Sequence, residues 1–266
     1  MGENDDILEN SIGATIGGKG KVKEKIIKII NLNKYYGKKQ VLNNVNLEIS
    51  NGMFGLLGKN GAGKTTLMKI IASLLVPTDG ECIVHGIPVK EKKEVRKIIG
   101  YIPQEFSLYP DFSCYEMLDY FLLLEKKKNP KERQERILEV LEQVNLSDQL
   151  HVKIKNLSGG MKRRMGVAQA LLSNPKIIIA DEPTVGLDPE ERAHLRNLFR
   201  VLAKERVVLL STHIIGDIED TCDQIAIMQK GNVLFQGTIK ELKEHTQQAD
   251  GTLEDAYLCI TADKGR

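Results

Sequence analysis

Net charge is almost missing from this chain: 38 Lys and Arg stand against 36 Asp and Glu over 266 residues, a formal charge of +2. Such a balance makes no case for nucleic acid or anionic lipid as the main partner, since neither would meet a field of one sign. Cysteine is scarce and scattered. Cys82, Cys114, Cys222 and Cys259 form no CxxC pair, which argues against a zinc site or a disulfide framework and fits a reducing cytoplasm. No unbroken apolar run exceeds the one at Tyr120–Leu124, far short of the roughly 18 residues that a bilayer-spanning helix needs. The chain begins Met1-Gly2, but Asp6 stands where N-myristoylation wants Ser or Thr, and no apolar signal segment follows, so a lipid anchor is not expected. No internal repeat is visible, which points to one structural unit and not two.

What is present suits an α/β protein with a sizeable core: 41% of residues are hydrophobic and 28% charged. Residues 1–24 mix glycine with both charges and show no sustained period, which predicts a flexible arm. Strands are expected at "KIIKIINL", at "NVNLEIS" with its alternating Val45, Leu47 and Ile49, and at "MFGLL". Further strands are expected at "CIVHG", "IIGYI", "KIIIAD", "RVVLLST", "QIAIMQ" and "NVLFQG"; such continuous apolar runs suit a sheet covered on both faces. Between about Phe106 and Leu172 the strand pattern gives way to helical stretches, "CYEMLDYFLLLEKK", "PKERQERILEVLEQV" and "GGMKRRMGVAQALL". An all-helical block therefore interrupts the sheet. The charged run Leu124–Arg136 reads as a solvated helix face.

Three stretches carry chemistry. Gly58, Gly63, Lys64 and Thr65 in "GKNGAGKTT" fit G-x-x-x-x-G-K-[ST], with an expected strand before and a helix after. Glycines there let backbone N–H groups turn inward around a phosphate chain, and the helix start adds unpaired amides and the positive dipole end. Lys64 would reach the β- and γ-phosphates, and Thr65 would place its hydroxyl on Mg²⁺. The loop alone does not separate kinases, GTPases and ATPases. "IIIADEP" then supplies Asp181, a strand-end carboxylate for the Mg²⁺ shell; Glu182 follows on an extended backbone, with its side chain directed to where a water would attack the γ-phosphate. The third stretch, "LSGGMKRR", offers Ser158 as a helix N-cap, with Gly159 and Gly160 allowing close approach of backbone to a ligand.

"GKNGAGKTT", "YIPQ", "LSGGM", "IIIADEPTVGLD" and "STH" occur in the order and at about the spacing of the ATP-binding cassette of ABC transporters, and the sequence resembles that family from about residue 25 to 240. The resemblance implies an α/β P-loop NTPase of ABC type: a central mixed sheet core with flanking helices, an antiparallel β subdomain and an inserted all-helical subdomain at about 106–172. It implies ATP and Mg²⁺ as ligands, with Gly58, Lys59, Asn60, Gly61, Ala62, Gly63, Lys64, Thr65 and Thr66 around the phosphates. Tyr36 resembles the aromatic that stacks on adenine, with Tyr35 the less favoured neighbour. Gln104 resembles the residue that reports γ-phosphate and metal to the membrane subunit, so Thr65, Gln104 and Asp181 would form the metal set. Glu182 looks like the general base and His213 like the residue that contacts the γ-phosphate. Two cassettes would pack head to tail, each ATP lying between the glycine loop of one and Ser158, Gly159 and Gly160 of the other, with Asp188 in the loop that crosses the interface. Met161 departs from the family, which often has Gln there; altered packing is expected, not lost phosphate binding.

Without a membrane segment, the resemblance implies partnership with a separate permease and a peripheral place on the cytoplasmic face of a bacterial membrane. A homodimer is the first expectation and a heterodimer the alternative. The tail "GTLEDAYLCIT" resembles the ending of bacterial cassettes that drive export of drugs, peptides or lipids, and it forms a helix in this reading of residues 241–266. Export is therefore favoured over import, and a soluble ABC ATPase acting on nucleic acid or the ribosome is the more distant alternative.

Overall fold

The computed structural model describes residues 25–262 apart from 128 and 220; the expected N-terminal arm, 1–24, lies outside them. The chain opens with a long antiparallel hairpin, β1 (Lys25–Tyr36) and β2 (Lys39–Ser50), then β3 (Gly52–Leu57), α1 (Lys64–Ile71), β4 (Asp79–Val84), β5 (Ile87–Pro88), α2 (Lys92–Ile98) and β6 (Ile99–Ile102). The helical block follows as α3 (Cys114–Leu124), α4 (Pro130–Gln143) and α5 (Gly159–Leu171). The sheet resumes with β7 (Ile177–Asp181), α6 (Pro189–Leu202), β8 (Val207–Thr212), α7 (Gly216–Glu219), β9 (Gln224–Gln229) and β10 (Asn232–Gly237), and the tail forms α8 (Ile239–His245) and α9 (Leu253–Ala262). No helix among the described residues is long and apolar enough to cross a membrane.

Two sheets result. The antiparallel one runs β2-β1-β4-β5 and the mixed one runs β10-β9-β3-β8-β7-β6, parallel from β9 to β6 with β10 antiparallel at the edge. Side chains alternate across a strand, so a parallel sheet buried on both faces sorts its residues by parity. Ile177, Ile179, Val207 and Leu209 enter the core shared with α1 and the antiparallel sheet. Their neighbours Ile178, Ala180, Val208 and Leu210 enter the other core, shared with the helical block, α6 and the tail helices. The sheet is thus a wall between two apolar cores, and the loops at its strand ends are what remain for chemistry.

Helix starts follow the polar residues that precede them. Ser113 and Glu116 form a reciprocal capping box on α3, and Thr238 and Glu241 form another on α8. Asn129 and Asp188 cap α4 and α6 ahead of Pro130 and Pro189. The charged run Leu124–Arg136 is not merely solvated. Arg133 and Arg136 side chains are only 12% and 17% exposed; Arg133 pairs with Asp119 at 2.6 Å, and Arg136 donates to the carbonyls of Leu171 and Leu172. The second contact places a cation at the α5 C-terminus, where unpaired carbonyls and the dipole favour one. Two arginines that pattern alone assigns to water therefore tie the helical block together.

Phe199 of α6 is 1% exposed and among the largest side chains in the core beneath the helical block. Phe199→Ala should lower unfolding free energy by about 3–5 kcal/mol through the cavity it leaves, read as a shift in the urea midpoint at unchanged slope.

Candidate functional site

The strand β3 pairs in parallel with β8 on one side and β9 on the other, so the loop after Leu57 leaves from the middle of the sheet. Gly58 donates to the Thr212 carbonyl at 3.3 Å and the Ala62 carbonyl accepts from Gly231 at 3.0 Å, anchoring the loop at both ends. Gly63 sits at φ 105°, in the left-handed region, and a Cβ added there would lie 2.9 Å from Leu42 Cδ2 and 3.0 Å from the Val41 carbonyl oxygen. Only glycine fits. The same residue starts α1 without a side-chain cap, and the first turn of that helix carries no acid. Its first amides therefore receive nothing from a capping side chain, which leaves the dipole end suited to an anion.

Lys64 follows and is buried, with 5% of its side chain exposed. Its ammonium donates to the Gly58 carbonyl at 2.6 Å and lies 3.0 Å from Glu182 Oε1. That oxygen is buried and makes no hydrogen bond, so the contact is an ion pair out of hydrogen-bond alignment. The other carboxylate oxygen, Glu182 Oε2, meets His213 Nδ1 at 2.8 Å. Asp181, 1% exposed, accepts from Ser211 Oγ at 2.5 Å. Strand parity explains the last contact: Asp181 and Ser211 are register partners on β7 and β8, each two residues beyond a side chain facing the α1 core.

Glu182 corrects the extended-backbone expectation. It lies just past β7 at φ 48°, a left-handed conformation that costs a non-glycine residue about 1–3 kcal/mol. Its amide turns across to β8 and donates to both the carbonyl and the hydroxyl of Ser211, at 3.1 and 3.0 Å. These bonds hold the turn that aims the carboxylate at Lys64.

A cavity of about 520 Å³ surrounds the loop, walled by Lys39, Gln40, Val41, Asn60–Thr66, Gln104, Glu182 and Lys230. It brings Lys64, Thr65, Thr66, Gln104 and Glu182 together; Asp181 and His213 reach it through the contacts above. Tyr36 does not line it. Tyr36 ends β1, 50% exposed, paired with Lys39 of the cavity wall, and Lys34 Nζ lies 5.3 Å over its ring. Tyr35 is exposed too, its amide bonded to Thr78.

Ser158, Gly159, Gly160 and Asp188 are likewise absent from those walls. Ser158 caps α5 by accepting from the Met161 amide at 3.1 Å, while Met161 packs against the large core. Asp188 caps α6 through the Glu191 amide at 2.9 Å. Glu191 joins these two helix starts: a Cβ on Gly160 would strike its carboxyl group at 2.1 Å, and its Oε1 lies 3.6 Å from Arg164. Arg163 of α5 also donates to the Gln104 carbonyl at 2.7 Å. Ser211 and Glu191 escape motif reading, although the parity of β8 against β7 would have pointed to Ser211. A third unread group is Asp217, buried on α7, which accepts from Thr184 at 2.5 Å and from Arg196 at 3.0 Å.

No group of three or more His, Cys, Asp or Glu among the described residues could hold a metal ion alone. The donors offered are sparse and oxygen-based: the Thr65 hydroxyl, the Asp181 carboxylate and the Gln104 amide. Such a set fits Mg²⁺, which binds through one or two carboxylates and completes its shell with water and substrate phosphates.

Because Lys64 is engaged by Glu182, a phosphate must draw the ammonium away from a carboxylate before gaining it. Glu182→Gln removes that competing charge, along with its repulsion of the phosphates. The variant should bind ADP several-fold tighter than the native chain in a fluorescent-nucleotide titration, about 1 kcal/mol for one charge-assisted contact; equal or weaker binding would show that the pair does not compete.

Comparison with known proteins places this geometry. The profile of the ABC transporter family matches residues 42–185. The chain is 41% identical over 223 residues to the uncharacterized ABC transporter ATP-binding protein YxlF of Bacillus subtilis, covering 84% of this chain and 74% of that one. It is 36% identical over 225 residues to the Nod factor export ATP-binding protein I of Cupriavidus metallidurans, 82% and 72% covered. It is 35% identical over 234 residues to the methionine import ATP-binding protein MetN 1 of Staphylococcus epidermidis, 84% and 68% covered. Among solved structures, a dimeric ATP-binding cassette in a post-hydrolysis state with ADP and Pi superposes with TM-score 0.71 at 30% identity, covering 80% of this chain and 98% of that one. A glycine loop, a strand-end Asp-Glu pair and a helix capped by Ser158 in one mixed-sheet fold thus agree with the sequence relatives: the chain belongs to the ABC transporter family, as an ATP-binding subunit.

Proposed function

We propose that this subunit hydrolyses MgATP in a head-to-tail pair of cassettes and uses the cycle to drive export through a separate membrane permease. The observation that carries the hydrolytic part is the line of contacts from the buried Lys64 through the buried Glu182 to His213, whose side chain is 41% exposed. Lys64 would hold the terminal phosphate by its charge, and Thr65, Thr66 and the loop amides would orient the chain of phosphates. Glu182 would accept a proton from the attacking water at Oε1, the oxygen without a hydrogen bond, while His213 holds Oε2 and so fixes the plane of the carboxylate. Thr65, Asp181 and Gln104 would hold Mg²⁺, which when bound neutralises charge developing on the phosphate oxygens.

The paired arrangement is supported by what the cavity lacks. Ser158–Gly160 form a second amide-rich helix start outside the walls of their own chain's cavity, so they suit a nucleotide held by another cassette. A homodimer satisfies this with two equal sites. A named exporter and a named importer are similar to this chain at nearly equal identity, and the reading of "LEDAYL" in the tail favours export. Import is the second reading, carried by the methionine import relative. Flux measured in vesicles with the co-purifying permease decides between them.

Lys64→Ala should abolish ATPase activity and strongly weaken ATP binding; near-native turnover would overturn the assignment of the loop. For the shared site, Glu182→Gln with Mg-ATP should elute as a dimer on size exclusion and with ADP as a monomer, because uncleaved nucleotide bound by both chains shifts the equilibrium by mass action. Adding Ser158→Arg should abolish the shift. A monomer under every condition, even after addition of the candidate partner cassette, would count against the shared-site reading.

A further inference from the structure

Glu182 and His213 meet at 2.8 Å, yet they follow different strands, β7 and β8, and begin loops that need not keep step. One buried carboxylate joins those loops. Asp217, on α7 four residues after His213, accepts at 2.5 Å from the hydroxyl of Thr184, two residues after Glu182. Asp217 and Thr184 are both buried, and neither lines the cavity around the glycine loop.

The tie is short on each side. Between Glu182 and Thr184 stands Pro183, whose ring fixes φ, and the Glu182 amide is already bonded to Ser211. The turn closes again beyond it, where the Leu187 amide donates to the Thr184 carbonyl at 3.2 Å. On the other side the Asp217 amide donates to the Ile214 carbonyl at 3.1 Å, and the Ile214 amide to Thr212 Oγ1 at 2.9 Å. Few free torsions therefore separate this contact from either the carboxylate or the imidazole.

The helix that carries Asp217 is itself a firm base. Ile218 is buried and packs so closely on β3 that a Cβ added to Gly55 would lie 2.9 Å from its Cδ1. Arg196 of α6 donates to Asp217 Oδ1 at 3.0 Å, which supplies the opposite charge that a carboxylate out of water needs. The Thr221 hydroxyl bonds the Asp217 carbonyl. An apolar pair could hold α7 against the turn as strongly, whereas two directional bonds to one carboxylate fix a single geometry.

We propose that Asp217 is a positioning residue for ATP hydrolysis: it locks the turn after Glu182 to the turn after His213 and so keeps the Glu182 carboxylate aimed into the site. The proposal rests on the reading of Glu182 as general base. Its effect falls on the chemical step and not on nucleotide binding, because Asp217, Thr184 and Arg196 all stand outside the cavity walls.

The test uses the full chain. Thr184→Val keeps the branched shape but removes the donor, so kcat for MgATP should fall by about tenfold or more while the ADP Kd stays within about twofold of native. Thr184→Ser, which restores the hydroxyl, should recover most of that rate. Asp217→Asn should lose rate on the same scale, and the double variant little more than either single one, since both break one shared contact. Leu242→Ala, a core cavity on α8, should lower the melting temperature and leave kcat near native well below the transition. Native kcat in Thr184→Val overturns the proposal, as does a loss that Thr184→Ser does not recover or that Leu242→Ala matches. Should Thr184→Val fail to fold, Asp217→Asn set against Leu242→Ala gives the same decision. Native kcat in Glu182→Gln would overturn the base reading itself, an outcome distinct from a working base that does not need the Asp217 tie.

Discussion

A buried lysine cannot stand alone, and the site follows from how Lys64 is compensated. Removing an ammonium from water is costly unless an opposite charge and hydrogen-bond acceptors replace the solvent. Glu182 provides the charge and the Gly58 carbonyl provides an acceptor. Glu182 is then a buried charge in its turn, held by His213 on one oxygen and by the lysine on the other. Any phosphate that enters must trade places within this set. The pair thus links occupation of the loop to release of the carboxylate: the same ammonium cannot serve Glu182 and a γ-phosphate equally well.

Parallel strands make that arrangement possible. Because β7 and β8 are buried on both faces and in register, parity alone sends Asp181 and Ser211 to the side that carries α1 and the glycine loop. The strand ends where the hydrophobic run ends, and the first polar residues after it need partners. Asp181 finds the Ser211 hydroxyl, and the Glu182 amide finds the same residue's carbonyl and hydroxyl. The left-handed backbone of Glu182 is held by two bonds to one serine on the neighbouring strand.

Much of this was legible in the sequence because glycine spacing and apolar runs are local signals. The strands from "MFGLL" to "NVLFQG", the helical interruption and the loop residues could be read from stretches of about ten residues. What escaped reading depends on contacts between distant stretches. The strand β1 runs on past Leu32 to Tyr36, where its exposed polar end is held by pairing with β2 and not by burial. The helix α6 carries only Leu195, Phe199 and Leu202 as buried residues among many charges. Arg133 and Arg136 look solvated until the C-terminus of α5 and Asp119 are placed beside them. The turn at Glu182 is set by Ser211, which lies 29 residues later in the chain.

The helical block and the glycine-loop end of the sheet are joined in two different ways, and the difference bears on how one could inform the other. Apolar contact in the shared core is non-directional and tolerates small displacements. The polar ties are directional: Arg163 to the Gln104 carbonyl, Glu191 against Gly160 and near Arg164, and the Asp188 cap that starts the same helix as Glu191. Gln104 lines the cavity that holds Lys64, whereas Gly160 and Asp188 belong to the surface left for a second cassette in the proposed pair. A shift of α5 would therefore be felt at both places, because each is held to that helix by a geometry that a hydrogen bond or a close van der Waals contact fixes to within tenths of an ångström. Such coupling needs no wire through the core: one rigid helix with a directional contact to the cavity at Gln104 and another to the start of α6 at Glu191 is enough to bias both.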